Sequence, residues 1–168
     1  GGVGKTTLAQ KIFNDKKIKD QFNMHTWVCV TKDYSEASIL REILRNMGKP
    51  YAQDESVGEL QIKLQSAIEG KSFFLVLDDV WQSEAWTNLL RTPLRAAATG
   101  ILLVTTRHDN ITKEIGTNHT HRVNLMLADV GWELLWRSLN IDEEKPVQKL
   151  RNIGIEIVRR CDGLPLAL

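Results

Sequence analysis

The chain has 168 residues, 42% of them apolar and 26% charged, and a net charge of +1. That length suits one domain of ordinary size with a little left over, and the charge balance creates no bulk field toward nucleic acid or an anionic membrane. No run approaches the ~18 consecutive apolar residues of a membrane-spanning helix.

The chain opens on Gly1-Gly2-Val3-Gly4-Lys5-Thr6-Thr7-Leu8, the second half of the pattern G-x-x-x-x-G-K-[ST]. Glycines let such a loop curl with its N–H groups pointing inward, and the helix that follows adds partial positive charge, so the pair forms a cradle for phosphate. Leu8, Ala9, Ile12 and Phe13 mark one face of that helix, which fades near Asn14-Asp15. His25 to Thr31 reads as a strand. Asp33, with Glu36 three residues on, is expected to cap a helix whose apolar face is Ile39, Leu40, Ile43, Leu44 and Met47, stopped at Gly48. Ser56 and Glu59 start another, with Val57, Leu60, Leu64, Ala67 and Ile68 inward and Gly70 at its end.

Phe73 to Leu77 is an unbroken apolar run of strand length, as expected of a parallel strand covered on both faces. Trp86, Leu89 and Leu90 predict a short helix ending before Pro93, and Ile101 to Val104 is a second apolar run. A helical turn or two is expected around Asp109, Ile111 and Ile115, then a weaker strand at Arg122–Leu125. From Asp129 the strands stop. Val130, Leu134, Leu135 and Leu139 lie along one helix, and Leu150, Ile153, Ile157, Val158 and Cys161 along another. The alternation up to about residue 126 predicts a parallel α/β domain and the remainder the start of a helical one.

Three places carry chemistry. Lys5 brings a full charge to the outer phosphates, and the Thr6 hydroxyl is placed to bind Mg²⁺. Asp78 and Asp79 follow the first buried run, at the carboxyl end of a strand where open α/β sheets hold their ligands. One acid there can hold Mg²⁺ and its neighbour can orient a water. Arg107 ends the second run in the same geometry, where a guanidinium can meet a terminal phosphate through charge-assisted hydrogen bonds. Cys29 and Cys161 have no metal-type spacing and read as small buried hydrophobes in a reducing compartment. His25, His108, His119 and His121 form no ligand constellation, and the scattered tryptophans read as core and docking surface.

The order GGVGKTT, W-V-C-V, F-L-V-L-D-D-V-W, T-T-R and C-D-G-L-P-L-A-L resembles the NB-ARC domain of plant nucleotide-binding, leucine-rich-repeat disease-resistance proteins. Trp81 and the segment Thr26–Val30 resemble the coiled-coil branch of that family. The resemblance implies a P-loop NTPase sheet over residues 1–126 and part of a helical ARC1 subdomain over 127–168. It implies a cytoplasmic ADP/ATP switch that rests with ADP and signals after exchange for ATP and oligomerisation. Its partners would be adenine nucleotide and the signalling and repeat domains of its own longer chain, with no direct contact to nucleic acid. Carried over, Gly2, Val3, Gly4, Lys5, Thr6 and Thr7 hold the phosphates, and Thr6 and Asp78 the Mg²⁺. Asp79 positions the attacking water, Arg107 is the sensor arginine, and Pro165 packs by the adenine. The first glycine of the loop and the strand before it are expected upstream of residue 1, so the sequence reads as a fragment of a longer protein. That strand would lie between the Ile101–Val104 and Arg122–Leu125 strands. The glycosylation patterns at Asn110 and Asn118 are chance matches in a cytosolic protein.

Two other readings stay open at this point: an ATPase that turns over continuously, and a module that holds ADP without hydrolysing ATP. The second acid, Asp79, speaks against the latter. A GTPase is disfavoured because no N-K-x-D base-reading motif is present.

Overall fold

The computed structural model describes residues 2–117, 119–139 and 144–168, the side chains of 144–149 excepted. Gly1 of the phosphate loop and Asn118 of the second glycosylation pattern lie outside the described residues. The chain falls into two compact units, Thr6–Thr120, and Gly1–Lys5 with His121–Leu168.

In the larger unit, helix α1 (Lys5–Asn14) is followed by a second helix, α2 (Lys16–Gln21), that the apolar pattern does not reveal. Asp15 caps it, its carboxylate accepting from the Lys17 N–H at 2.8 Å. Strand β1 (Met24–Cys29) leads to α3 (Glu36–Asn46) and α4 (Val57–Ile68). The N-cap of α3 is Ser35 and not Asp33: the chain is still extended at Ser35 and turns helical at Glu36. At α4 the expected capping box is present, Ser56 accepting from the Glu59 N–H while Glu59 reaches back to the Ser56 N–H at 2.8 Å.

Strand β2 (Ser72–Val80) is the centre of a three-stranded parallel sheet of order β1-β2-β3, with β3 at Thr99–Thr106. Its unbroken apolar sequence has the expected cause, since both faces are covered. Phe73, Leu75 and Leu77 join the main core with Leu40, Leu44, Leu60 and Leu64. Phe74 and Val76 pack on the other side with Ala9, Phe13 and Phe22. Each such side chain contributes about 1.5–3 kcal/mol on burial, so β2 is the best-anchored strand. β3 differs. Ile101 is 45% exposed, and among the described residues β3 pairs only with β2.

Between β2 and β3 the helix does not stop before Pro93. Residues Ala85–Leu90 wind one wide turn, closed by the Arg91 N–H on the Trp86 carbonyl, and run on into α5 (Arg91–Leu94). Pro93 has no N–H to donate to the Leu89 carbonyl four residues back, and the Gln61 side-chain amide donates to that carbonyl instead at 2.9 Å. After β3 comes α6 (Asp109–Ile115).

Gly100 pairs in register with Phe73, and a Cβ built on it would lie 2.1 Å from the Phe73 ring. Gly100→Val should therefore displace a core aromatic and destabilise by about 1–3 kcal/mol. Thermal melting of the intact protein checks this, and an unchanged midpoint would show that Phe73 relocates freely.

In the smaller unit, α7 (Ala128–Ser138) packs against α8 (Glu144–Arg160), with Val158 buried beside Gly131 and Arg151 donating to Asp129 at 2.5 Å. The expected strand at Arg122–Leu125 is absent. These residues have no pairing ladder, and a strand without one has no partner for its backbone groups. The Met126 N–H donates instead to the Gly163 carbonyl at 2.9 Å. Among the described residues no helix is long and apolar enough to cross a membrane.

Candidate nucleotide site

β2 changes character at its carboxyl end. Leu77 pairs with Val104 and Val80 with Thr106, so Asp78 and Asp79 together face the single residue Thr105. This is a β-bulge, and Asp79 takes the left-handed conformation at φ 54°. Aspartate is one of the few residues with a side chain that enters this region readily. In a flat strand two consecutive carboxylates would point to opposite faces, whereas the bulge re-aims them.

Asp78 is buried, 6% exposed. Its carboxylate accepts from the Thr6 hydroxyl, 3.0 and 3.1 Å from its two oxygens, and from the Thr105 hydroxyl at 2.5 Å. Thr105 in turn accepts from the Asp79 N–H at 2.9 Å. Asp79 lies further out and takes the Arg107 Nε–H at 3.2 Å. The Arg107 guanidinium lies 5.4 Å from the centre of the Trp81 ring, which meets His108 at 5.4 Å on its own account. Cys29, in register with Asp78, feels this negative charge. Partial desolvation of the sulfur first, then Asp78, Asp79 and Glu42, push its thiol above the ordinary range, although the residue as a whole is exposed. Contrary to expectation Cys29 is exposed, because the inward positions at this end of β1 belong to Val28 and Val30; Cys161 is half-buried.

The donor set suits a hard divalent cation. A buried carboxylate with two hydroxyls beside it enters no ion pair among the described residues, so its charge lacks a counter-charge. Mg²⁺ is commonly held by one or two such oxygens with water and phosphate completing the shell.

In the smaller unit Gly2 and Gly4 lie at φ 84° and 92°, the left-handed backbone the loop needs to turn its N–H groups inward. The Leu166 N–H donates to the Gly2 carbonyl at 3.3 Å, and Pro165 Cγ would lie 4.0 Å from a Cβ on Gly4. The G-L-P-L segment thus folds against the glycines of the phosphate loop. Val3, Lys5 and Thr7 continue that loop into α1, with Thr7 exposed.

The NB-ARC domain family matches residues 1–144. The chain belongs to the NB-ARC family. It is 36% identical over 173 residues to Disease resistance RPP13-like protein 4 of Arabidopsis thaliana, covering 100% of this chain and 20% of that protein. It is 36% identical over 171 residues to Disease resistance protein RGA2 of Solanum bulbocastanum, covering 99% and 18%. With Disease resistance protein RPP13 of Arabidopsis thaliana the identity is 30% over 175 residues, covering 100% and 21%. The chain spans about a fifth of the length of these curated relatives. This NB-ARC domain is a nucleotide-binding module of the plant disease-resistance type, with the α/β fold its motifs predict.

Within the larger unit, then, Thr6, Asp78, Asp79 and Arg107 are brought together. Within the smaller, Gly2, Gly4 and Pro165 are. Sequence reasoning missed Thr105, whose hydroxyl links the two acids, and the contact of Trp81 with Arg107. Thr105 had a legible signal: it is a hydroxyl at the end of the strand after the acidic one, and parallel register brings such ends together.

Proposed function

We propose that this NB-ARC domain is the ADP/ATP switch of a cytoplasmic plant immune receptor, with slow ATP hydrolysis restoring the resting state. The observation that carries the reading is the Thr6 hydroxyl at 3.0 and 3.1 Å from the buried Asp78 carboxylate, directly after the glycine-lysine of a phosphate loop. Residues 1–126 would form the nucleotide-binding part and 127–168 part of the ARC1 subdomain, with oligomerisation after ATP binding as the output.

Each residue then has a separate task. Inward N–H groups of Gly2–Thr7 and the Lys5 ammonium bind the phosphates. Thr6 and Asp78 hold Mg²⁺, which when bound neutralises phosphate charge. Thr105 fixes Asp78 by donating to it and fixes Asp79 by accepting its N–H. Asp79 orients the attacking water through its carboxylate. Arg107 supplies η nitrogens to the terminal phosphate, and Pro165 packs by the adenine.

The test is to denature the purified full-length protein, identify the released nucleotide, and measure steady-state turnover. ADP in the resting protein and one cycle in minutes to hours are expected. Many cycles per second would make it a remodelling ATPase, and no turnover at all a passive ADP-binding module.

A further inference from the structure

We propose that Trp81 is a positioning residue for Arg107, setting how well the site distinguishes a nucleoside triphosphate from a diphosphate. The inference rests on the reading that Arg107 meets the terminal phosphate. Arg107 is about half exposed, its side chain 48% accessible. An arginine so placed ordinarily samples many rotamers and loses that freedom whenever it binds. Here two contacts restrict it. Asp79 takes Nε at 3.2 Å, and the face of Trp81 lies 5.4 Å from the guanidinium carbon, within reach of a cation–π interaction. The ion pair engages Nε alone, which leaves the four N–H groups of the η nitrogens for a phosphate.

The ring is itself held. Trp81 follows Val80, which is 2% exposed, and the Thr106 hydroxyl donates to the Val80 carbonyl at 2.7 Å. The same hydroxyl accepts from the His108 N–H at 3.1 Å. One threonine therefore ties together the two backbone segments that carry Trp81 and Arg107. His108 meets the Trp81 ring at an interplanar angle of 55°, a second ring contact beside that of Arg107. A ring fixed in this way presents its face to Arg107 before any ligand arrives, which reduces the ordering cost of the phosphate contact.

A cation–π contact at an exposed site corresponds to about a two- to fivefold bias toward the held rotamer. The experiment is titration of the full-length protein with ADP and with adenylyl-imidodiphosphate, which is not hydrolysed. Wild type, Arg107→Ala, Trp81→Leu, Trp81→Tyr and the double variant Trp81→Leu/Arg107→Ala are compared. Arg107→Ala should remove the arginine's contribution to triphosphate affinity. Trp81→Leu should lose about two- to fivefold of it with ADP affinity unchanged. Trp81→Tyr should restore most of the loss, and Trp81→Leu should add nothing when Arg107 is already alanine.

Equal losses for both nucleotides in Trp81→Leu, or additive losses in the double variant, would overturn the proposal by making Trp81 merely structural. A silent Trp81→Leu beside an effective Arg107→Ala overturns it too and leaves the role of Arg107 intact. A silent Arg107→Ala removes the phosphate assignment of Arg107 and this inference with it. Should Trp81→Leu not fold, Trp81→Phe, with the weaker π face, must show a loss of the same selectivity or the proposal falls.

Discussion

Lys5→Ala in the full-length protein is expected to lower ADP affinity by about one to two orders of magnitude. The lysine is the only cation the phosphate loop offers. Its loss leaves phosphate charge facing backbone N–H groups alone, and a hydrogen bond to a charged group contributes about 1.5–3 kcal/mol. Lys5 enters no ion pair among the described residues, so the folded domain has little to lose from its removal. The melting temperature without nucleotide should therefore stay close to wild type, while the increase caused by added ADP shrinks. Calorimetric titration measures the affinity directly. An unchanged dissociation constant would remove Lys5 from the site. A large drop in the nucleotide-free melting point would mean that its role is structural.

The elements legible in the sequence are those whose pattern has one physical cause. The run Phe73 to Leu77 fits a strand covered on both sides, and the structure buries it on both. The capping box at Ser56 likewise has one local explanation. What escaped had two other causes, a missing pairing partner and an element too short to show a pattern. Arg122–Leu125 has strand-like residues but no ladder, and Asp15 caps a helix too short to carry a periodic stripe. The site follows the same division. Its residue types are local motifs, Gly-Lys-Thr, Asp-Asp and Thr-Thr-Arg, and all were readable. Its wiring went unread: parallel register hints at Thr105, but the bulge that sets both acids against it has no local motif, and the Asp79–Arg107 pair spans two strands.

That wiring sharpens the separation of the two adjacent acids. Asp78→Ala removes the acceptor of both the Thr6 and Thr105 hydroxyls in a buried position, so it is expected to weaken Mg²⁺-dependent nucleotide binding and leave the protein silent. It should also destabilise by about 1–3 kcal/mol, the penalty for polar groups left without partners. Asp78→Asn separates the two effects, since its amide oxygen still accepts from Thr105 while the charge is gone. Asp79→Asn behaves differently. Its N–H to Thr105 is backbone and survives, and its amide oxygen can still accept from Arg107 Nε, so binding and folding should persist. What it loses is the negative charge to which we assign the orientation of the attacking water. P-loop proteins without a supplied arginine finger hydrolyse at only about 10⁻⁴ to 10⁻² s⁻¹, so a further tenfold loss prolongs the ATP form tenfold. A switch shifts only by the differential affinity of its ligand for its states. Longer occupancy by ATP, read through Arg107, should raise the active population and give signalling without a pathogen. All three full-length variants are to be expressed in leaf tissue, with spontaneous cell death scored and the bound ATP:ADP ratio measured on purified protein. Asp79→Asn should be autoactive and rich in ATP, and Asp78→Ala and Asp78→Asn silent. An Asp79→Asn protein that retains ATP yet stays silent would break the link between the triphosphate form and signalling. Autoactivity of Asp78→Asn instead would mean that the bulge hands the metal to Asp79 and the water to Asp78.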